Sequence, residues 1–143
     1  MTQIISEVGK NFINSVDRFQ TIDDALQRAK ELVHWSKLSG ADTVKFQCHV
    51  LEDEKKKRDK SRWLWIEKNE GLTPLEEFWE PLKDFCDWQG VEMLITPMSK
   101  MAAEKVNPLV RRWKVGSADI VDMDLLKYLK STKKPIILST GMS

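Results

Sequence analysis

Residues 40–47 read Gly40-Ala41-Asp42-Thr43-Val44-Lys45-Phe46-Gln47, and this junction decides the fold. Before it, Ile22, Ala25, Leu26, Ala29, Leu32 and Val33 recur at the three- and four-residue spacing of one helix face. Gly40 is a left-handed stop for that helix, and Thr21, three residues before Asp24, is its start. From Thr43 the spacing changes to the short β-branched run of a strand. A helix that empties directly into a strand is the repeating joint of an α/β protein.

The same joint recurs outward in both directions. Strand-like runs of four to six residues occupy 3–8, 43–47, 92–96, 113–116 and 135–139, with helical spacing between them. Thr73-Pro74-Leu75-Glu76 reads as a capping box with proline at the first helical position. Leu75, Phe78, Trp79, Leu82 and Phe85 are expected to face inward before Gly90, and Pro81 to kink or split that segment. A shorter helix is expected after Ser99, and another near Asp122 that buries Leu125, Leu126 and Leu129. Strict alternation implies right-handed crossovers and a parallel sheet. Two architectures fit. One is an open flavodoxin-like sheet; the other is the first five strands of a TIM-type (β/α)8 barrel, which needs about 250 residues in all.

Composition narrows the function classes. The chain has 143 residues, 41% hydrophobic and 31% charged, which suits a single globular domain over residues 1–143. Lys and Arg number 23 against 22 Asp and Glu, so no overall basic field marks a nucleic-acid or membrane binder. No apolar run approaches a membrane span, and no signal-peptide core opens the chain. Two cysteines, Cys48 and Cys86, form neither a disulfide framework nor a zinc set, and a reducing cytoplasm is the expected location. Cys86 reads as core, and no base can be named for Cys48. His34 and His49 lack partners at metal-ligand spacing.

Residues 52–62 break the alternation with six basic and four acidic side chains, the start of an excursion over 52–66 that follows the second strand. A solvated face is the plain expectation for such a run, and a lid over the strand ends the sharper one. Trp63, Leu64, Trp65 and Ile66 would anchor it to the core.

In either parallel architecture the ligand site lies beyond the carboxyl ends of the strands. There the sequence puts Glu7, then Lys45 and Gln47 on one face of a strand, Thr96, Lys114 with Ser117 and Asp119, and finally Ser139. Two lysines within apolar strands are anomalous, since a buried ammonium is costly without an anion to meet it. Either Glu7 satisfies one of them internally, or the lysines and the hydroxyls of Thr96, Ser117 and Ser139 form a concave cationic site. Such a site suits a small dianion of the charge and size of phosphoenolpyruvate.

The segments 7–11, 40–47, 77–78, 82–83, 86–87, 96–97, 114–119 and 134–142 together resemble the N-acetylneuraminate (sialic acid) synthase family, including the legionaminic and pseudaminic acid synthases. The likeness covers essentially the whole chain, and the Lys-Phe-Gln and Ile-Leu-Ser-Thr-Gly-Met runs are its most specific parts. The resemblance implies a barrel and an aldol-type condensation of phosphoenolpyruvate with an N-acetylated amino sugar. It implies that Lys45, Thr96, Lys114, Ser117 and Ser139 hold phosphoenolpyruvate, and that Glu7, Gln47 and Asp119 contact the sugar. It also implies a divalent manganese or magnesium ion whose histidine ligands, with the last three strands and an antifreeze-like domain, are expected beyond Ser143. The chain is therefore expected to be a fragment, a truncated product or half of a split enzyme. Left alone, it is expected to self-associate through its strand edges, close into an open sheet, or fold poorly. Where the family carries histidine after the asparagine, Asn11 is followed here by Phe12. A non-catalytic anion-binding module and a 3-deoxy-ulosonate phosphate synthase are the alternatives; the latter needs further basic residues to hold a phosphorylated sugar.

Overall fold

A computed structural model describes residues 2–141. The chain runs β1 (Ile5–Gly9), α1 (Ile22–Leu38), β2 (Thr43–Cys48), α2 (Leu51–Glu54), α3 (Trp63–Leu72), α4 (Glu80–Gln89), β3 (Glu92–Pro97), α5 (Lys100–Val106), β4 (Trp113–Val115), α6 (Met123–Ser131) and β5 (Ile136–Leu138). All neighbouring strands pair in parallel, in the order β1-β2-β3-β4-β5.

That order separates the two architectures. A doubly wound sheet reverses direction at a switch point, as in the order 2-1-3-4-5. Here every crossover steps the same way, so the helices collect on one face, and the flavodoxin-like alternative is set aside. The core lies between that face and the helices. Val44, Phe46 and Cys48 of β2, Met93 and Ile95 of β3, and Trp113 and Val115 of β4 are buried with Ala29 and Val33 of α1, Leu82 and Cys86 of α4, and Leu125 and Leu129 of α6. Side chains alternate along a strand, so Lys45, Gln47, Leu94, Thr96 and Lys114 all project from the opposite, inner face.

At the amino-terminal foot of that inner face, three side chains lock together. Arg112 donates from Nε to Glu92 Oε1 at 2.9 Å, and from Nη2 to Glu92 Oε2 at 2.7 Å and Thr43 Oγ1 at 3.2 Å. A forked guanidinium–carboxylate pair of this kind holds one geometry.

Local signals explain the helix ends. Thr21 and Asp24 form a reciprocal capping box, each side chain accepting the other's backbone N–H. Ser99 and Asp122 cap α5 and α6 in the same way as single acceptors. Gly40 (φ +87°) and Gly90 (φ +69°) take the left-handed conformation that stops a helix cheaply only in glycine.

The box expected at Thr73 is not formed. Thr73 Oγ1 donates backward to Asn69 O, and a π-turn, Leu75–Trp79, precedes α4. Pro81 is the reason. It has no N–H, and its ring crowds the carbonyl four residues back, so the ladder opens by one residue and the Trp79 and Glu80 N–H groups reach five residues back to Pro74 and Leu75. Phe12, the departure from the family pattern, is core: it stacks on Phe78 at 5.0 Å.

Candidate functional site

The register gathers the inward polar residues. Glu7 lies beside Lys45, and Gln47 beside Thr96. Ile95 faces Trp113, which sets Thr96 beside Lys114, itself level with Ile137. Ser139 continues β5, its N–H donating to Val115 O at 3.1 Å. Thus Glu7, Lys45, Gln47, Thr96, Lys114 and Ser139 occupy the mouth end of one face, and the two lysines share it.

They are held differently. Lys45 is buried, forms an ion pair with Glu7, and donates to Thr96 Oγ1 at 3.1 Å. The internal partner expected for one lysine is therefore found, but Glu7 remains half exposed. Lys114 has no carboxylate partner among the described residues; its Nζ donates to the Val115 carbonyl at 2.7 Å. Burial and the Lys45 charge hold the Lys114 ammonium below its ordinary value of 10.5, with Glu7 pulling weakly the other way. Two ammonium groups that repel each other, with one half-exposed carboxylate paired to Lys45, leave net positive charge for an anion to neutralise.

Gly9 frames the rim. At φ +58° it turns the chain out of β1, and a Cβ there would sit 3.1 Å from Glu7 Oε1 and 3.9 Å from the Gln47 amide. The left-handed φ favours glycine at this turn, and a Cβ would press on the Glu7 carboxylate.

Ser117 begins the 3-10 turn Ser117–Asp119 after β4, and is partly exposed. Asp119 is buried and directed elsewhere. Arg58 Nη2 donates to both of its oxygens, at 2.7 and 2.9 Å, and Lys57 Nζ to one of them at 3.0 Å. Its carboxylate straps the excursion to the end of β4.

The expectation of a solvated charge run is corrected accordingly. Glu54, inside that run, is fully buried and accepts from His49 Nδ1 at 2.9 Å and from the Val50 N–H at 3.2 Å. Asp53 caps the Met101 N–H at 3.1 Å, tying the segment to α5. Counting charge hid this, because three of its members, Asp53, Lys57 and Arg58, are bound by groups far away in sequence. His49 likewise has a partner that spacing did not reveal. The anchor is Ile66, which is buried, whereas Leu64 is exposed.

Burial pushes both thiols, Cys48 and Cys86, up to about 12, so neither is a nucleophile near neutral pH. Among the described residues no three metal-ligating side chains cluster. The described residues of this chain therefore supply no ligand set for the ion that the resemblance implies. No helix among these residues is long and apolar enough to cross a membrane.

The family model described as NeuB family matches residues 32–143. The chain belongs to the NeuB family. It is 36% identical over 143 residues to an uncharacterized protein of Methanocaldococcus jannaschii, covering 99% of this chain and 38% of that protein. It is 34% identical over 130 residues to the pseudaminic acid synthase of Helicobacter pylori, covering 82% of this chain and 38% of the synthase. It superposes on the N-acetylneuraminic acid synthetase of Leptospira borgpetersenii with a TM-score of 0.79 at 23% identity, covering 98% of this chain and 45% of that one. That likeness shows the fold: a five-strand arc of a TIM-type barrel. The chain spans about 38% of the length of these curated relatives. Met142, at the end of the family-like Ile-Leu-Ser-Thr-Gly-Met run, lies outside the described residues.

Proposed function

We propose that the mouth of this NeuB-family sheet is the phosphoenolpyruvate subsite of a synthase that condenses phosphoenolpyruvate with an N-acylated amino sugar. The single observation that carries this reading is Lys114, a partly buried ammonium without a carboxylate partner, level with Thr96 and close enough to Lys45 to feel its charge. In the proposed reaction C3 of phosphoenolpyruvate bonds to the sugar aldehyde carbon, water supplies the oxygen at C2, and inorganic phosphate leaves.

The residues divide that work. Lys114 and Lys45 neutralise the dianion, and Thr96, which accepts from Lys45, has its own hydroxyl proton to donate. Ser117 and Ser139 stand where they can add neutral donors. Glu7 and Gln47, one residue deeper and one higher on β1 and β2, present an acceptor and an amide to the sugar, and Glu7 fixes Lys45 as it does so. Holding both reactants in one concave site supplies the proximity that a bimolecular condensation needs. Asp119 is proposed as the strap of the excursion rather than a sugar contact, since three donor contacts already fill its carboxylate.

Calorimetry tests the reading. Phosphoenolpyruvate binds the wild-type chain, and Lys114→Ala weakens it by about tenfold to a hundredfold, the loss of one charge-assisted contact. Binding unchanged by Lys114→Ala and by Lys45→Ala would end the proposal. Turnover is assayed as phosphate released from phosphoenolpyruvate, N-acetylmannosamine and manganese, with and without the remaining family segments added in trans.

A further inference from the structure

Two guanidinium groups span the sheet, one at each end of the same three strands. At the foot, Arg112, which leads into β4, reaches Glu92 of β3 and Thr43 of β2. At the mouth the spanning group is Arg58. Its Nη2 donates to both oxygens of Asp119, in the turn after β4, at 2.7 and 2.9 Å, and its Nε stands 3.8 Å from Glu54 Oε2. Glu54 in turn accepts from His49 Nδ1 at 2.9 Å and from the Val50 N–H at 3.2 Å, and these two residues directly follow β2. The route His49–Glu54–Arg58–Asp119 therefore joins the carboxyl ends of β2 and β4. Those strands are not neighbours, because β3 lies between them.

Both carboxylates on this route are buried, and a buried carboxylate needs a cation to meet it. Lys57 pairs with Asp119 and Asp122, both on the β4 side. Among the described residues, Arg58 alone contacts both Glu54 and Asp119. A planar guanidinium with donors along two edges holds its partners at a set separation, which a point-like ammonium on a flexible stem does not. The strands it spans carry Lys45 on β2, Thr96 on β3 and Lys114 on β4. Asp119 also belongs to the turn that carries Ser117, closed by its own N–H donating to Gly116 O at 3.0 Å.

We propose that Arg58 is a positioning residue for the mouth: by fixing the span between the ends of β2 and β4, it sets the separation of Lys45 and Lys114 and so the width of the anion site. Its contacts run to Glu54 and Asp119, so it acts through the strands rather than on the ligand. The two lysines are near enough for the charge of Lys45 to be felt at Lys114, which makes their spacing matter. The brace stands on its geometry, while its bearing on a bound anion rests on the phosphoenolpyruvate reading.

Arg58→Lys tests it, since it keeps a cation beside Asp119 but cannot hold both carboxylates. Calorimetry on the full chain should show phosphoenolpyruvate binding weakened about tenfold, the scale on which small misplacements act. In a Lys114→Ala background the same change should cost nothing further, because spacing to an absent ammonium has no effect; independent losses would multiply. Arg112→Lys, at the foot, is the control for a merely structural role: it should lower Tm and leave phosphoenolpyruvate affinity as it was. Deuterium exchange without ligand gives a second readout, and in Arg58→Lys both strand ends, 48–50 and 116–119, should exchange faster. Affinity unchanged in Arg58→Lys, losses that multiply in the double variant, or exchange that quickens at one strand end only overturns the brace. A wild-type chain that fails to bind phosphoenolpyruvate overturns the condensation reading instead, and exchange at the two strand ends then decides the brace.

Discussion

Lys114 makes a pH prediction with a definite sign. Its folded value lies below 10.5, so the unfolded chain holds more protons and stability from this group rises with pH across the interval between the two values. A bound dianion reverses the depression. Phosphoenolpyruvate binding therefore takes up a proton within that interval, and affinity falls as pH climbs through it. Calorimetry in buffers of different ionisation enthalpy should show the uptake, and Lys114→Arg should flatten the profile. Gly9→Ala is expected to cost about 1–2 kcal/mol by denaturant melt, because a left-handed φ is strained for any other residue. Its Cβ would also shift Glu7, weakening the hold on Lys45. At this scale the site was legible: charge inside an apolar strand can be seen without coordinates. Which lysine Glu7 would satisfy was not, since that depends on strand neighbours rather than on order along the chain.

The excursion between β2 and α3 is tied down at Asp119, Asp122 and Met101. Removing the buried carboxylate in Asp119→Ala leaves Lys57 and Arg58 facing each other, which should destabilise the fold by about 3 kcal/mol. Hydrogen exchange over residues 50–62 should rise together with that loss; protection unchanged from wild type would show the segment held by something else. Burial works to raise Asp122, yet Lys57 and the Leu125 N–H outweigh it and hold the carboxylate below 3.8. The stabilisation is present above 3.8 and fades as pH falls through the lower folded value. Elements with strong periodicity and caps, such as α1 and α6, were readable from their residues. The π-turn was not, because Pro81 announces a disruption without saying how the backbone absorbs it. The strap was not, because an acidic residue reads as solvated until its partner is known.

At the scale of the molecule, alternation gave strand number and direction, while strand order needed the structure. Pattern does not say on which side each crossover lands. Among the described residues, β1 and β5 each have one neighbour, and Ile5 and Leu138 lie exposed on those strands. Such edges pair readily with other chains. Sedimentation should show mass rising with concentration, and a monomer at every concentration would contradict this. The clasp of Arg112, Glu92 and Thr43 at the opposite end has a kinetic corollary. It fills the amino-terminal foot of the inner face, so on the proposed reading a ligand seated against Lys45 enters from the mouth, ahead of one resting on Gln47 above it. If the proposed condensation holds, ligands enter and leave in sequence, and an unreactive analogue of the sugar should inhibit uncompetitively against phosphoenolpyruvate.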